Sequence, residues 1–364
     1  MKSSTVSLDA GRATLSSVAP TWAPSEALRG AAPAPRPRAV GTDPEPIAVG
    51  TPPGFLRTRW NQARGRPFAG GTRAPGTPGQ RRPGRPGSRI GTTVGGHRIE
   101  RRLGSGGTSV VYRAVDLATG QASAMKVMRR QLAADRDLVE RFEQEAVLLA
   151  GVHHPGMPAY RGHGHTADGA PYLVMELLDG HSLAERLDIG PMAVEDVLDI
   201  ASQAAITLDA LHRLGIVHCD LKPDNLFLVP DPVTRSRNRV VLIDLGVATV
   251  RTPSAPRARR VIGTPPYMAP EQSCAAAPLD QRTDVYGLAC LVHEMLCGDT
   301  PFVGNVAEVL SAHRCEVPPR ASERRDGVPA ELDHLLVTML AKDPTERPPT
   351  MAAVRAGLEL ARLR

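Results

Sequence analysis

Two carboxylates, a lysine and an amide lie within eight residues in the stretch His218-Cys219-Asp220-Leu221-Lys222-Pro223-Asp224-Asn225. A helical pattern of apolar residues over about 195–214 precedes this stretch, and the apolar run 226–229 follows it. The polar residues are therefore predicted to lie in a loop between a helix and a strand, where rigid elements can hold functional side chains in place.

A second polar group follows shortly afterwards, because the apolar run Val240–Ile243 ends at Asp244-Leu245-Gly246. The run is short and rich in β-branched residues, as expected of a buried strand. Carboxylate and amide oxygens at the ends of strands and loops are the ligands that Mg²⁺ prefers, and a carboxylate can also accept a proton. Asp220, Asn225 and Asp244 are the candidates for such a site.

Further towards the N-terminus, Leu103–Tyr112 has the pattern of a strand, a glycine-rich turn and a second strand. Glycines at positions 104, 106 and 107 would allow backbone N–H groups to approach a phosphate closely, since a Cβ would hold the chain away. Glycine-rich turns are also ordinary hairpin connections, so this motif alone leaves both interpretations open.

A lysine stands among apolar residues in the strand-like run Ala124-Met125-Lys126-Val127. Burying a lysine is costly unless a charge partner is present. The helical pattern over 137–150 offers Glu145 as that partner. The pattern is equally compatible with Glu145 being one of several solvated helix acids.

Charge and composition divide the chain at about residue 95. Residues 1–95 contain 14 Gly, 14 Pro, 14 basic and 4 acidic residues, whereas the remainder has 30 basic and 34 acidic residues. A segment so rich in Pro and Gly, without a repeat, buries too little apolar surface to fold, so 1–95 is predicted to be a disordered tail. The tail has nine arginines between Arg57 and Arg89. A solvated linker is the favoured interpretation of this stretch, and an arm that binds nucleic acid or an acidic partner is the less favoured alternative.

The chain lacks the features expected of a membrane or exported protein. Its longest uninterrupted apolar run is five residues, and polar residues follow Met1-Lys2 in place of a signal sequence. The five cysteines form no CxxC pair. We therefore expect a soluble cytoplasmic protein without a membrane span and with reduced thiols.

Taken together and in order, these motifs resemble the signature of the eukaryotic-like serine/threonine protein kinases that bacteria also carry. The resemblance spans about 96–361. It rests on Gly104-x-Gly106, Ala124-x-Lys126, Glu145, His218-x-Asp220-x-Lys222-x-x-Asn225, Asp244-x-Gly246 and Ala269-Pro270-Glu271.

The resemblance implies an α+β, two-lobed protein kinase-like fold. A small β-rich N-lobe would cover about 96–176 and a larger helical C-lobe about 179–361, with MgATP bound between them. The implied activity is transfer of the γ-phosphate of ATP to Ser/Thr hydroxyls of proteins, including those of the chain itself. Substrate identity and oligomeric state are not implied.

The resemblance also assigns roles to individual residues. Asp220 would be the catalytic base, Lys222 would neutralise charge on the transferred group, and Asn225 and Asp244 would ligate Mg²⁺. Lys126, paired with Glu145, would hold the α and β phosphates. The other implied nucleotide-binding residues are those of the phosphate loop, Leu103, Gly104, Ser105, Gly106, Gly107 and Thr108, and those around the adenine, Val111, Ala124, Met175, Glu176, Leu178 and Phe227.

Three positions depart from the commonest family pattern: Ser109 for the third glycine, Leu245 for a phenylalanine, and Cys219 for an arginine. That arginine normally meets a phosphate on the activation segment, and a neutral thiol cannot. We therefore expect activity that depends little on phosphorylation of Thr252, Ser254 or Thr264.

Two alternatives to a catalytic kinase remain open from the sequence. A pseudokinase scaffold would lack one of the catalytic groups, yet Lys126, Asp220, Asn225 and Asp244 are all present. The other alternative is a binding protein that acts through its basic tail.

Overall fold

The computed structural model describes residues 89–246, 248–250, 263–274 and 277–363. Most of the predicted tail, residues 1–88, lies outside the described residues. Residues 89–95 are described and belong to the folded part, since Thr93–Val94 pairs with the next strand and Arg89 lies 2.9 Å from Asp168. These residues lie on the tail side of the boundary predicted at about residue 95, and a two-residue strand carries no periodic pattern that composition could reveal.

The N-lobe contains one six-stranded sheet with the strand order β1-β2-β3-β4-β6-β5, and every pair in it is antiparallel. A single long helix, α1 (Arg136–Gly151), packs against it. This arrangement confirms the predicted β-rich N-lobe. The strands are β1 (Thr93–Val94), β2 (His97–Ser105), β3 (Ser109–Asp116), β4 (Ala122–Met128), β5 (Tyr160–His165) and β6 (Pro171–Glu176).

Alternation along β4 sends its side chains to two different cores. Met125 and Val127 join a small cluster with Ile99 on one face of the sheet. Ala124 and Met128 face the other way and join the main core together with residues of α1. Lys126 shares the face of Ala124 and Met128, so the strand period directs it towards α1.

Helix α1 begins where Asp135 caps it, since the Asp135 side chain accepts hydrogen bonds from the N–H groups of Asp137 and Leu138. Its buried residues recur at helical spacing and are Phe142, Glu145, Ala146 and Leu149. Glu145 thus lies on the apolar face of the helix, and the interpretation of Glu145 as a solvated acid is wrong.

The C-lobe is mainly helical, as predicted, and is organised around one buried helix. Its helices are α2 (Leu183–Leu187), α3 (Val194–Arg213), α4 (Gln281–Cys297), α5 (Val306–Cys315), α6 (Ala330–Met339) and α7 (Met351–Arg362). Every residue of α4 from Thr283 to Leu296 is buried, as expected of a helix that is covered on all sides. Gly287 lets α4 approach the loop after α3, because a Cβ there would lie only 3.3 Å from Cβ of Leu221.

Short strands in the C-lobe bring the two polar groups of the sequence together. They are β7 (His181–Ser182), β8 (Ile216–Val217), β9 (Leu226–Pro230), β10 (Asn238–Leu242) and β11 (Thr249–Val250). In the β9–β10 ladder Leu226 pairs with Leu242, and the N–H of Ile243 donates to the carbonyl of Asn225 at 3.0 Å. Asn225 and Asp244 therefore lie at the same end of this ladder.

Together the two lobes confirm the α+β, two-lobed architecture. Within the part of the chain that the structure describes, no helix has the length and apolar character needed to span a bilayer.

Candidate active site

Lys126 joins the two lobes through two carboxylates. Its Nζ donates to both carboxylate oxygens of Glu145, at 2.6 and 2.7 Å, and to Oδ1 of Asp244 at 3.2 Å. The Lys126 and Glu145 side chains are 12% and 5% exposed, whereas that of Asp244 is 37% exposed. The predicted pair of the strand lysine and the helix glutamate is present. Asp244, which follows strand β10 of the C-lobe, joins this pair as a second partner of Lys126.

The charges in this triad shift one another's pKa. Burial by itself would lower the pKa of Lys126, but Asp244 and Glu145 outweigh it and hold the ammonium well above its ordinary value. Burial raises the pKa of Glu145 even though Lys126 opposes the shift. Partial burial would also raise the pKa of Asp244, yet Lys126 and the N–H of Gly246 bring it down to about 2. Lys126 and Asp244 therefore stay charged across the physiological pH range.

The loop after α3 is anchored from below by Asp284 of α4. The carboxylate of Asp284 accepts the backbone N–H of His218 at 2.9 Å and that of Cys219 at 2.8 Å. Nε2 of His212 lies 2.7 Å from the same carboxylate. A carboxylate that accepts several hydrogen bonds is stabilised in its charged form. Burial would raise the pKa of Asp284, but His212 and the backbone N–H of His218 lower it below its ordinary value.

Asp220 lies at the centre of the polar residues on this loop. Lys222 Nζ donates to Asp220 Oδ2 at 2.8 Å, and Thr264 Oγ1 donates to Oδ1 at 2.7 Å. Nδ2 of Asn225 donates to the backbone carbonyl of Asp220 at 2.9 Å. Asp220 is 9% exposed, so its carboxylate is held in a largely dry setting.

The charged groups of the loop and of the triad belong to one site. Burial by itself would lower the pKa of Lys222, but Asp220 outweighs it, with a further contribution from Asp244. The charge of Lys222 in turn lowers the pKa of Asp244. Asp220, Lys222, Asn225 and Asp244 therefore converge, as the motif spacing predicts.

The phosphate loop connects β2 to β3 and is closed by a hydrogen bond from the N–H of Gly106 to the carbonyl of Ser109 at 2.9 Å. Its members Leu103, Gly104, Ser105, Gly106, Gly107 and Thr108 lie at the tip of this hairpin. A Cβ at Gly104 or Gly106 would meet no protein atom within 4 Å. No crowding from the described part of the protein requires glycine at either position.

Arg129, at the end of β4, holds this loop from its side. Its Nε and Nη2 donate to the carbonyl of Gly106 at 3.1 and 2.9 Å, and its backbone N–H donates to the carbonyl of Thr108 at 2.8 Å. Two parallel donors on one carbonyl restrict its direction as well as its distance. The sequence carries no signal for this residue, because a single arginine outside a motif has no distinguishing pattern.

The residues expected around the adenine come from both lobes: from strands β3, β4 and β6 and the residues just after β6, and from β9 of the C-lobe. Val111 is paired with Lys126 across β3 and β4, and Ala124 is paired with Met175 across β4 and β6. The remaining three residues, all partly buried, are Glu176 at the end of β6, Leu178 just beyond it and Phe227 on β9. The backbone N–H of Glu176 donates to the carbonyl of Ala159 at 2.8 Å.

The segment 263–274 approaches the catalytic loop and is fixed to the C-lobe by buried charges. Arg347 Nη1 and Nη2 donate to the two oxygens of Glu271, at 2.8 and 2.9 Å. The Tyr267 hydroxyl donates to Glu294 of α4 at 2.7 Å. Both pairs fix the position of the segment 263–274 beside the loop that bears Asp220.

Gln272, which follows Ala269-Pro270-Glu271, is a second residue that sequence analysis missed. Its Nε2 donates to the backbone carbonyl of Cys219 at 2.7 Å. The only signal available in the sequence was its position directly after a recognised motif.

Comparison with known proteins places this architecture in a family. The model of the protein kinase domain matches residues 97–357. The kinase domain of PknI from Mycobacterium tuberculosis aligns with a TM-score of 0.58 and 25% identity, over 74% of this chain and 98% of that one. The chain belongs to the protein kinase family.

Curated bacterial relatives are similar over the same region. The chain is 36% identical to serine/threonine-protein kinase Pkn1 of Myxococcus xanthus, over 75% of this chain and 39% of the relative. It is also 36% identical to PknB of Mycobacterium leprae, over 70% and 41%, and to PknL of Mycobacterium tuberculosis, over 72% and 64%. The match thus spans between about two fifths and just under two thirds of the relatives' own length.

Proposed function

We propose that the chain is a serine/threonine protein kinase that transfers the γ-phosphate of MgATP to Ser/Thr hydroxyls of proteins, including its own. One observation carries the proposal. Lys126 of the N-lobe is bound at once to Glu145 and to Asp244, while Lys222 donates to Asp220. A phosphoryl transfer site needs such a set of cations and carboxylates around one point.

In this proposal the nucleotide lies between the two lobes. Lys126 contacts its α and β phosphates, and the pairing with Glu145 keeps the ammonium in place. The open space beside Gly104 and Gly106 leaves room for phosphate oxygens to approach the backbone of this loop. Val111, Ala124 and Phe227 line the adenine, and the backbone of Glu176 and Leu178 bonds to its edge.

The donor set of the site is suited to a divalent cation with a preference for oxygen. The Nδ2 of Asn225 is committed to the carbonyl of Asp220, which directs its Oδ1 away from that bond. Among the described residues, the hydrogen bonds that Asp244 accepts use Oδ1. Asn225 and Asp244 would hold Mg²⁺, which supplies charge neutralisation at the phosphates when bound.

Asp220 is the proton acceptor in this proposal. Its carboxylate would bind the substrate hydroxyl, orient it towards the γ-phosphate and take its proton. Lys222 would balance the charge that develops on the transferred group. Positioning and charge stabilisation are sufficient, so no covalent intermediate with the protein is needed.

A protein substrate is favoured by the segment 263–274. Thr264 on this segment contacts Asp220 directly, and the buried pairs at Glu271 and Tyr267 make a fixed surface beside the catalytic loop. A peptide lying along this surface would present its hydroxyl to Asp220.

The cytoplasm, which supplies ATP and keeps thiols reduced, is the compartment that we propose for this activity.

The test is γ-phosphate transfer by the purified full chain, with radiolabelled ATP, Mg²⁺ and casein as a generic substrate. We expect labelling of casein and of the chain itself. Asp220→Asn should lower the rate by roughly 10²- to 10⁴-fold, the usual contribution of general base catalysis. Its ATP affinity, measured by nucleotide titration, should change little because Asp220 does not hold the phosphates.

Two results would contradict the proposal. The first is wild-type protein that binds MgATP but labels neither substrate, which would favour the pseudokinase scaffold. The second is Asp220→Asn protein that labels casein as fast as the wild type, which would assign the proton transfer to another group.

A further inference from the structure

Cys219, which precedes Asp220, has a strained backbone conformation. Its φ is +62°, and among the non-glycine residues that the structure describes only Arg237 also has a positive φ. A side chain in the left-handed region is sterically disfavoured, and such a residue keeps this conformation only where its surroundings enforce it. The strain lies one peptide bond away from the proposed catalytic base.

Two hydrogen bonds enforce this conformation from opposite sides. The N–H of Cys219 donates to Asp284 Oδ1 at 2.8 Å, and the carbonyl of Cys219 accepts from Gln272 Nε2 at 2.7 Å. The carbonyl shares a rigid peptide plane with the N–H of Asp220. The orientation of this carbonyl therefore fixes the orientation of the peptide plane that leads into Asp220.

Gln272 is itself held in a fixed orientation. Its Oε1 accepts the N–H of Ala269 at 2.9 Å, so the NH₂ end of the amide must face Cys219. The residue is 7% exposed, and the adjacent Glu271 is locked to Arg347. The donor is thus built into the C-lobe and does not depend on a mobile side chain.

We infer that Gln272 is a positioning residue for phosphoryl transfer. Its amide holds the carbonyl of Cys219 in the left-handed conformation that aims Asp220 at the substrate hydroxyl. The inference rests on the proposed function and deepens it. Gln272 acts through the Cys219 peptide, and the two hydrogen bonds described above, to Cys219 and from Ala269, reach no group proposed to bind the nucleotide. Its loss should therefore affect kcat and leave the KM for ATP unchanged.

The test combines Gln272→Met with Cys219→Gly in the full chain. Methionine has a similar length and cannot donate, whereas glycine adopts a positive φ without steric cost. In the wild-type background, Gln272→Met should lower kcat at least tenfold, or about 1.4 kcal/mol, with the KM for ATP within twofold. In the Cys219→Gly background the same replacement should lower kcat less than threefold, because the strain that Gln272 opposes is gone.

Gln281→Met is the matched control, since the Gln281 amide also donates to a backbone carbonyl, that of Pro349, at 2.6 Å. It should leave kcat unchanged. Thermal unfolding of each variant shows whether a lower kcat comes from loss of the folded state or from slower phosphoryl transfer. Gln272→Glu is the second variant, used also if the methionine protein does not fold. Its kcat relative to wild type should rise as the pH falls from 8 to 6, because a protonated carboxyl regains the donor.

The inference is overturned if Gln272→Met keeps the wild-type kcat, or if it loses the same factor in both backgrounds. A Gln272→Glu protein with a pH profile parallel to that of the wild type would also overturn it. These outcomes presuppose wild-type protein that transfers phosphate and Asp220→Asn protein that does not. If that pair of results is missing, the proposed function has failed on its own account.

Discussion

Position 219 illustrates how one residue changes what a kinase site requires. A buried thiol stands where the family most often has an arginine, and the neighbouring peptide is held by Asp284 and Gln272. A neutral thiol cannot pair with a phosphate on the activation segment. Order near Asp220 must therefore come from contacts that are already present, such as the Thr264 hydroxyl on Asp220.

We predict that phosphatase treatment lowers the rate of the wild-type enzyme less than tenfold, which corresponds to less than about 1.4 kcal/mol of transition-state stabilisation. Thr252 and Ser254 lie outside the described residues, so this remains a prediction from the sequence. The measurement is turnover of treated and mock-treated enzyme, with phosphate content followed by mass spectrometry. A larger loss would mean that a phosphate orders the segment by another route.

Glu294 is a buried carboxyl whose ionisation should change the stability of the fold with pH. Burial raises its pKa to about 7, although the Tyr267 hydroxyl opposes the shift. Below the unfolded value of about 4.5, the carboxyl is protonated in both states. As the pH rises towards 7, the unfolded chain releases this proton and the folded chain retains it, so stability falls. The shift corresponds to at most about 3 kcal/mol.

We predict that Glu294→Gln removes this loss. The free energy of unfolding of Glu294→Gln, relative to wild type, should increase between pH 5 and pH 8 by up to about 3 kcal/mol. Urea unfolding at several pH values measures the difference. Glu140→Gln, at an exposed position on α1, is the matched control for the substitution itself. A difference for Glu294→Gln that does not change with pH would contradict the buried, protonated state.

At the scale of elements, strand register decides which side chains enter the site. Lys126 lies between Val111 and Leu173 in the sheet, and a slip of one residue would turn it to the opposite face. The cap at Asp135 likewise fixes where α1 begins and therefore where Glu145 points. The existence of these elements was predictable from apolar periodicity, whereas their relative offsets depend on contacts distant in sequence.

The contact between β4 and the phosphate loop leads to a prediction about Arg129. Arg129→Ala should raise the KM for ATP roughly two- to tenfold, since exposed hydrogen bonds contribute about 0.5–1.5 kcal/mol. The kcat should change less than twofold because Asp220 and Lys222 are untouched. Arg129→Lys, which retains a single flexible donor, should give an intermediate KM.

Arg130→Ala is the control for that experiment, because the Arg130 side chain is 79% exposed and lies 3.8 Å from Asp168. Steady-state kinetics with varied ATP separate KM from kcat. An unchanged KM in Arg129→Ala would show that the loop keeps its conformation without this arginine.

At the scale of the whole molecule, buried charges connect segments that are far apart in the sequence. Arg347 is 2% exposed, forms a bidentate pair with Glu271, and also donates to the carbonyl oxygens of Ala341, Arg282 and Lys342. The pair ties the segment 263–274 to the region before α7. Removing one partner would leave the other charge buried without compensation.

We predict that Arg347→Met lowers the free energy of unfolding by about 3–5 kcal/mol. Such a loss is a large part of the roughly 5–15 kcal/mol that stabilises a typical domain, so less folded protein should accumulate. Urea unfolding followed by circular dichroism provides the measurement. Glu359→Gln, at an exposed pair with Arg362, should cost less than about 1 kcal/mol. Equal losses in the two variants would contradict the role of burial.

The sequence by itself determined the class of the fold and the chemical groups of the site. Order and spacing of short motifs were enough to select Lys126, Asp220, Asn225 and Asp244, because phosphoryl transfer admits few residue types at these positions. Apolar periodicity was enough for α1, α3 and the principal strands. The roles of the residues stay predictions until the kinetic experiments are done.

Only the tertiary structure decided which partners hold those groups. The contacts of Arg129 with Gly106 and of Gln272 with Cys219 join residues 23 and 53 positions apart. The position of Arg89 depends likewise on pairing with a distant residue, Asp168. Such contacts follow from how sheets and helices pack, and local pattern does not encode them because each partner alone resembles an ordinary surface or turn residue.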